Sequence, residues 1–261
     1  MHVSLIITTY NRVDALSLVL RSIQNQTVLP KEVIIADDGS TKETQKMIRD
    51  FQVASQLNLT HSRQKDKGFR AAKSRNKAIA KSKGGYIILI DGDMVLHPRF
   101  IEDHISHAES GCFIQGTRVL LTQSETQDAL VKMKTNFSFL SSGIQNRKNA
   151  IHSNFLSRLF SKKKNYLRGI KTCNMAFFKQ DCININGFNN DFEGWGREDS
   201  EFVVRLLNSG IHRKNLRFNA IQFHLWHHEN TRSSLQQNDT LLQNTIDNNV
   251  KWCDNGIDRY L

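Results

Sequence analysis

The sequence predicts an α/β fold, a mostly parallel central sheet with a helical insertion and tail. Two observations carry this expectation. Strand-like and helix-like runs alternate through the first 110 residues, as βαβ units do. Polar clusters follow three of the strand-like runs directly, which is where open α/β sheets bind their ligands.

Taken in order, Val3 to Thr9 is a β-rich run closed by Tyr10-Asn11-Arg12. Val13 to Gln26 places Val13, Leu16, Val19, Leu20 and Ile23 at helical spacing. Val33 to Ala36 is a short apolar strand closed by Asp37-Asp38-Gly39-Ser40. Thr41 to Phe51 reads as a helix, Leu57 to His61 as a strand, and Phe69 to Lys83 as a helix stopped by Gly84-Gly85. Tyr86 to Ile90 is a further strand, ending at Asp91. One parallel sheet therefore brings Thr8 to Arg12, Asp37 to Ser40 and Asp91 to Asp93 to one rim. Beyond it, Cys112 to Leu121 and Thr172 to Phe178 are strand-like, and Thr122 to Arg168 is long, polar and partly helical. Ser200 to Asn208 carries Phe202, Val203, Leu206 and Leu207 at helical spacing with Gly210 as its stop. Asn230 to Leu261 is a polar tail with helical potential.

The chain has 261 residues, of which 39% are hydrophobic, enough for one large domain with an appendage. Its longest apolar runs are too short to span a bilayer. Val3 to Ile7 already reads as core strand, leaving no room for a signal peptide. Cys112, Cys173, Cys182 and Cys253 have no paired metal-type spacing; free thiols in a reducing cytosol are the simplest reading, with disulfides as the alternative. The net charge of +11 favours an anionic partner. Zinc-finger spacing and the signature of an RNA-recognition sheet are both missing, so no nucleic-acid partner is expected.

Five segments carry candidate chemistry. Asp91-Gly92-Asp93 sets two carboxylates one residue apart at a strand end, suited to one Mn²⁺ or Mg²⁺ whose shell substrate phosphates complete, or to an ordinary turn. Asp37 to Ser40 suits a turn, or a site where Asp38 accepts from a pyrimidine imide N–H. Asp66-Lys67-Gly68-Phe69-Arg70 and Arg75-Asn76 put Arg70 and Arg75 by a helix start that suits a diphosphate. Gly194-Trp195-Gly196-Arg197-Glu198-Asp199 presents an aromatic face for a sugar ring, followed by two acids that either complement the helix dipole or supply a general base. Phe223 to Glu229 holds three histidines; strand alternation sends His224 and His227 opposite ways, so one of them, not both, is the expected metal ligand.

In this order the segments resemble the family 2 glycosyltransferases of the GT-A, Rossmann-like nucleotide-binding fold. The likeness is greatest to bacterial capsule and lipopolysaccharide enzymes whose C-terminal half is similar to β-1,4-galactosyltransferases. It covers roughly residues 2–230. It implies a single GT-A domain over 1–229: a nucleotide-sugar-binding half (1–110), an acceptor-binding half (111–229) with a basic insertion at 122–168, and a polar tail (230–261).

The resemblance also implies residue roles. Thr9, Tyr10, Asn11, Arg12, Asp91 and Gly92 line the donor site, with Asp38 on the uracil and Arg70 or Arg75 assisting the leaving diphosphate. Asp93, Asp91 through water, and His224 hold the metal. Trp195, Gly196 and Glu198 lie by the acceptor, and Asp199 is the catalytic base, with Glu198 as the other candidate. Galactosyltransferase-like motifs often carry a further acid where this chain has Ser200, which bears on the acceptor sugar. The implied reaction is metal-dependent transfer with inversion from a UDP-sugar to a saccharide or lipid-linked saccharide. The alternative is a non-catalytic nucleotide-sugar-binding or scaffold domain. Arg147 to Arg168 is basic, with Phe155, Leu156, Leu159, Phe160 and Leu167 forming an apolar stripe if helical. It suits either an anionic membrane surface or a loop over the acceptor site, and places the chain in the cytoplasm, in the first case peripheral to the inner membrane face.

Overall fold

The computed structural model describes residues 1–228 and 234–261; Glu229 of the histidine segment and residues 230–233 of the tail lie outside it. The elements run β1 (Val3–Thr9), α1 (Val13–Gln24), β2 (Glu32–Asp37), α2 (Lys42–Ala54), β3 (Leu59–Arg63), α3 (Ala71–Lys81), β4 (Tyr86–Asp91), β5 (Met94–Leu96), α4 (Phe100–His107), β6 (Cys112–Gln115), β7 (Val119–Leu121) and α5 (Gln123–Lys132). Then follow β8 (Ile144–Gln145), α6 (Asn154–Phe160), β9 (Lys162–Lys163), β10 (Asn174–Phe178), α7 (Lys179–Asn184), α8 (Glu198–Asn208), β11 (His212–Asn215), β12 (Gln222–His224) and α9 (Leu235–Asp247).

The large sheet has the order β3-β2-β1-β4-β10-β6-β11-β9. Its first four strands are parallel. β10 enters antiparallel between β4 and β6, and β11 runs parallel to β6. Strands β1, β2 and β4 are buried almost end to end because helices cover both faces, the reason they read as unbroken apolar runs. Alternation along β1 sends Leu5 and Ile7 towards Leu16, Val19, Leu20 and Ile23 of α1, and Ile6 towards Ala72 and Ile79 of α3 and Phe202 of α8.

The chain winds outward from β1 to β3, then crosses back to place β4 on the other side of β1, which puts a switch point between β1 and β4. In register, Thr8 lies beside Asp91 and Thr9 beside Asp37, so the three polar strand ends share one rim. A smaller sheet, β5-β12-β7-β8, takes the chain onward from Asp93. It packs Val95, Val119 and Phe223 against Ala15 and Leu18 of α1 and Ala129 of α5.

The second half departs from the sequence expectation in three places. Cys112 to Leu121 is two strands in different sheets, parted where the Gly116 N–H donates to the Asn174 carbonyl. Arg147 to Arg168 is no single helix: a 3₁₀ turn at Arg147–Ala150, the short α6 and the edge strand β9 divide it. The polar tail is built into the fold, with Ile257 fully buried beside Phe188 and Phe202, and Cys253 buried under Asn186. All four cysteines are free and buried, which settles the alternative of disulfides.

Helix α8 is pinned by an ion pair inside the core. Arg205 and Glu201 are almost fully buried, joined by two hydrogen bonds of 2.7 Å, and Arg205 also donates to the Ile185 carbonyl. Burial alone would penalise the charged guanidinium; its hydrogen bonds to Glu201 and the charge there outweigh that penalty.

Candidate active site

The crevice lies at the C-terminal ends of β1, β2 and β4. Gly92 packs closely there: a Cβ would stand 3.0 Å from Thr9 Oγ1 and 3.2 Å from the Thr8 carbonyl, to which the Gly92 N–H donates. This close approach lets the chain turn from β4 into β5, with Asp91 and Asp93 on either side of the turn.

Beneath the rim, Asp37 makes the turn expected of residues 37–40. Its Oδ1 accepts from the Gly39 and Ser40 N–H groups, and its Oδ2 pairs with His61 at 2.7 Å. Asp38 faces the other way and is buried, its oxygens accepting from Gln64 Nε2 at 2.5 Å and the Arg70 N–H at 2.6 Å. Burial raises its carboxyl above the usual range despite these bonds. Asn11, at positive φ, ties the loops together: its N–H donates to Ser40 Oγ and its side chain accepts from the Thr41 N–H. Tyr10 is half exposed and donates to Asp66. Arg12 sits before α1, 3.7 Å from Asp14.

The two arginines are held by the protein's own groups. The Arg70 guanidinium turns back onto the Lys65 carbonyl of its own loop. Arg75 is buried; it donates to Thr8 Oγ1 at 3.1 Å and Glu198 Oε1 at 3.0 Å, and lies 3.6 Å from Asp91 Oδ1. Its guanidinium bridges the two halves of the crevice, from Thr8 and Asp91 on one side to Glu198 on the other.

That contact sets Glu198 and Asp199 apart. Glu198 opens α8 with its carboxylate tied to Arg75. Among the described residues, Asp199 accepts from the Ser200 N–H and hydroxyl. Its carboxyl is pushed up to about 7, by burial first and then by the negative charge of Glu198. Before them, Trp195 is 39% exposed between two glycines at positive φ. Gly194 has no room for a side chain, since its Cβ would meet Ser234 Oγ. The loop is braced by α9: Asn238 donates to the Glu193 and Gly196 carbonyls, and Arg197 pairs with Asp239. The sequence reading missed this brace.

Asp93 corrects the choice between histidines. The Nε2 atoms of His224 and His227 lie 3.5 and 3.3 Å from Asp93 Oδ2, so both reach it. Strand alternation stops at His224, where β12 ends; the Leu225 N–H then donates to the Asp93 carbonyl. Burial would raise the Asp93 carboxyl, yet hydrogen bonds from the two histidines hold it well below the usual range. The bond to Asp93 raises His227 in turn. Asp91, part-exposed at the same turn, is raised by desolvation despite Arg75. Asp93 Oδ1 is buried with no hydrogen-bond partner. An orphaned carboxylate oxygen with two imidazoles, their ligand atoms within 4.8 Å of one another, fits a divalent cation. The mixed oxygen and nitrogen donors suit Mn²⁺ better than Mg²⁺.

His97, Asp103 and His152 form another group within 4.8 Å that the sequence reading did not single out. The two rings stack nearly parallel, at 10°, so their lone pairs do not converge on one ion. Asp103 already accepts from Asn219, the Ala220 N–H and His152. The group is a brace that fixes residue 152 of the insertion to α4.

Comparison with known proteins places this geometry in a family. A model described as "Glycosyl transferase family 2" matches residues 4–182, and one described as "N-terminal domain of galactosyltransferase" matches residues 155–229. The chain is 30% identical over 233 residues to a hyaluronan synthase of Pasteurella multocida, and 27% identical over 237 residues to a chondroitin synthase of Escherichia coli. These alignments take in 82% and 85% of this chain but only 23% and 34% of the relatives' own lengths. Among solved structures, S. aureus TarS 1-349 in complex with UDP-GlcNAc aligns with TM-score 0.68 at 17% identity, covering the whole chain and 69% of TarS 1-349. The mannosyltransferase PcManGT from Pyrobaculum calidifontis, in complex with GDP-Man and Mn²⁺, aligns with TM-score 0.59 at 16% identity over 86% of this chain and 56% of its own. These likenesses show the GT-A fold.

Proposed function

The chain belongs to glycosyl transferase family 2, and from that premise we propose that it moves a sugar from a UDP-sugar to a saccharide acceptor with inversion. The observation that carries the reading is Asp199: an acid pushed up to about 7 in the crevice that also holds the cation-ready Asp93. A general base works best with a pKa near the working pH. Asp199 takes the proton of the acceptor hydroxyl as that oxygen attacks the anomeric carbon. The bond from that carbon to the diphosphate oxygen breaks on the opposite face, and the electron pair leaves with the nucleoside diphosphate. An α-linked donor thereby yields a β-glycoside. Arg75 fixes Glu198 so that Asp199 is the acid left for the proton.

Thr9, Tyr10, Asn11, Arg12 and the Gly92 turn line the donor side, with Asp38 below for the base. Asp93, His224 and His227 would hold Mn²⁺, which when bound neutralises charge on the pyrophosphate. Trp195 and Gly196 offer the acceptor a stacking face. The UDP-GlcNAc complex of TarS supports a UDP-sugar donor. The named hyaluronan and chondroitin synthases support a saccharide acceptor and a polysaccharide product. A place in bacterial capsule or lipopolysaccharide synthesis, with a lipid-linked saccharide as acceptor, is part of the same proposal.

A domain that only binds nucleotide-sugars has no use for an acid held near neutrality. Release of UDP from UDP-sugars, with Mn²⁺ and with Asp199→Asn as control, tests the choice. Acceptor-stimulated release by the wild type, lost in the variant while UDP still binds, is the expected result. Tight UDP binding with no release from any donor would support the binding domain.

A further inference from the structure

Residues 147–168 are not among the groups described in the crevice above. They hold seven Lys and Arg and no Asp or Glu, against a net charge of +11 for the whole chain. The structure gives this segment a definite shape. α6 is capped by Ser153, whose Oγ accepts from the Leu156 N–H, and His152 fastens its start to Asp103. Ser157 faces inward, fully buried. The apolar side chains face out: Phe155 is 71% exposed, Leu159 54% and Phe160 52%. Phe155 and Leu159 are four residues apart and share one helix face. Lys162 and Lys164 are exposed just beyond them, while Lys163 pairs with Glu109. Among the described residues no helix is long and apolar enough to cross a membrane.

We propose that α6 and the Lys162–Lys164 edge form a docking surface for an anionic lipid bilayer. Phe155 and Leu159 enter the headgroup boundary, and Arg158, Lys162 and Lys164 meet the lipid phosphates. Charge complementarity decides the occupant: a run of 22 residues without a carboxylate matches a surface that is negative throughout. Two large exposed apolar side chains four residues apart, with Arg158 between them in sequence and Lys162 and Lys164 just after, is the pattern of an interfacial helix. The docking does not depend on the glycosyltransferase reading.

The test is co-sedimentation of the whole chain with vesicles of phosphatidylcholine alone, and with about one third phosphatidylglycerol. Binding only to the second, weakened by salt, is expected. Removing each exposed lysine lowers affinity roughly fivefold, so Lys162→Gln with Lys164→Gln loses roughly 25-fold. Phe155→Ser with Leu159→Ser weakens binding by a similar factor and leaves it more sensitive to salt. Both pairs are exposed, so thermal unfolding and UDP binding should match the wild type. Failure of the wild type to bind phosphatidylglycerol vesicles overturns the proposal, as does unchanged binding by both double variants. Sedimentation without vesicles, abolished by Phe155→Ser with Leu159→Ser, would assign the face to a second copy and overturn it too.

Discussion

Replacing Asp199 with Asn removes the proposed base and also an ionised group the fold holds at a penalty. The carboxyl is raised from 3.8 to about 7, so keeping it charged above pH 7 costs at most about 4 kcal/mol, at about 1.4 kcal/mol per pH unit. Solvent screening in an open crevice reduces this to about 1–2 kcal/mol. Because the folded pKa lies above the unfolded one, the folded state holds the extra proton between about pH 4 and 7, and the wild type loses stability as pH rises through that window. Asn avoids the loss and can still accept from the Ser200 N–H. The variant should therefore melt roughly 2–8 °C higher than the wild type at pH 8, with the gap closing near pH 4. Turnover should fall roughly 10²–10⁴-fold while UDP affinity is retained. Differential scanning calorimetry at the two pH values, beside a UDP-release assay, reads both effects. Wild-type turnover in the variant would rule out Asp199 as the base, and a stability gap that does not depend on pH would rule out its raised carboxyl.

The remaining predictions concern the groups around it. Wild-type turnover should rise with pH through about 7 as Asp199 gives up its proton, and a flat profile from pH 6 to 8 would count against that base. His227→Gln should weaken Mn²⁺ binding about as much as His224→Gln, roughly 10–100-fold each, by titration calorimetry; an effect confined to His224 would return His227 to a structural role. Arg75→Met should lower turnover and shift the pH profile, since Glu198 loses its partner, whereas Arg75→Lys should restore part of both. Glu201→Gln should destabilise the fold by about 3–5 kcal/mol, because it leaves the buried Arg205 charge uncompensated; chemical denaturation measures it.

The first half was legible because its signals are local. β1, β2 and β4 are apolar runs and their polar ends lie next to them in sequence, so Asp38, Asp91 and Asp93 could be placed on one rim from pattern alone. The second half depends on contacts that no local pattern carries. Arg75 reads as one cation on a basic helix; its role rests on Glu198, 123 positions away. His227 was set against His224 by extending strand alternation past the point where β12 ends. The tail reads as polar because its contacts with the Gly194–Gly196 loop are hydrogen bonds from Asn238, which leave no apolar period. The break between β6 and β7 hides because both strands are apolar and only their sheets differ.

The proposed reaction needs a cation site and a base for sugar transfer in one crevice. The most direct measurement is UDP release from a panel of UDP-sugars, with Mn²⁺ and then with chelator in its place, with and without saccharide acceptors. Release from at least one donor is expected, stimulated by an acceptor, abolished by chelator and restored by Mn²⁺. Full release in chelator, or no release from any donor by a protein that binds UDP, would contradict it.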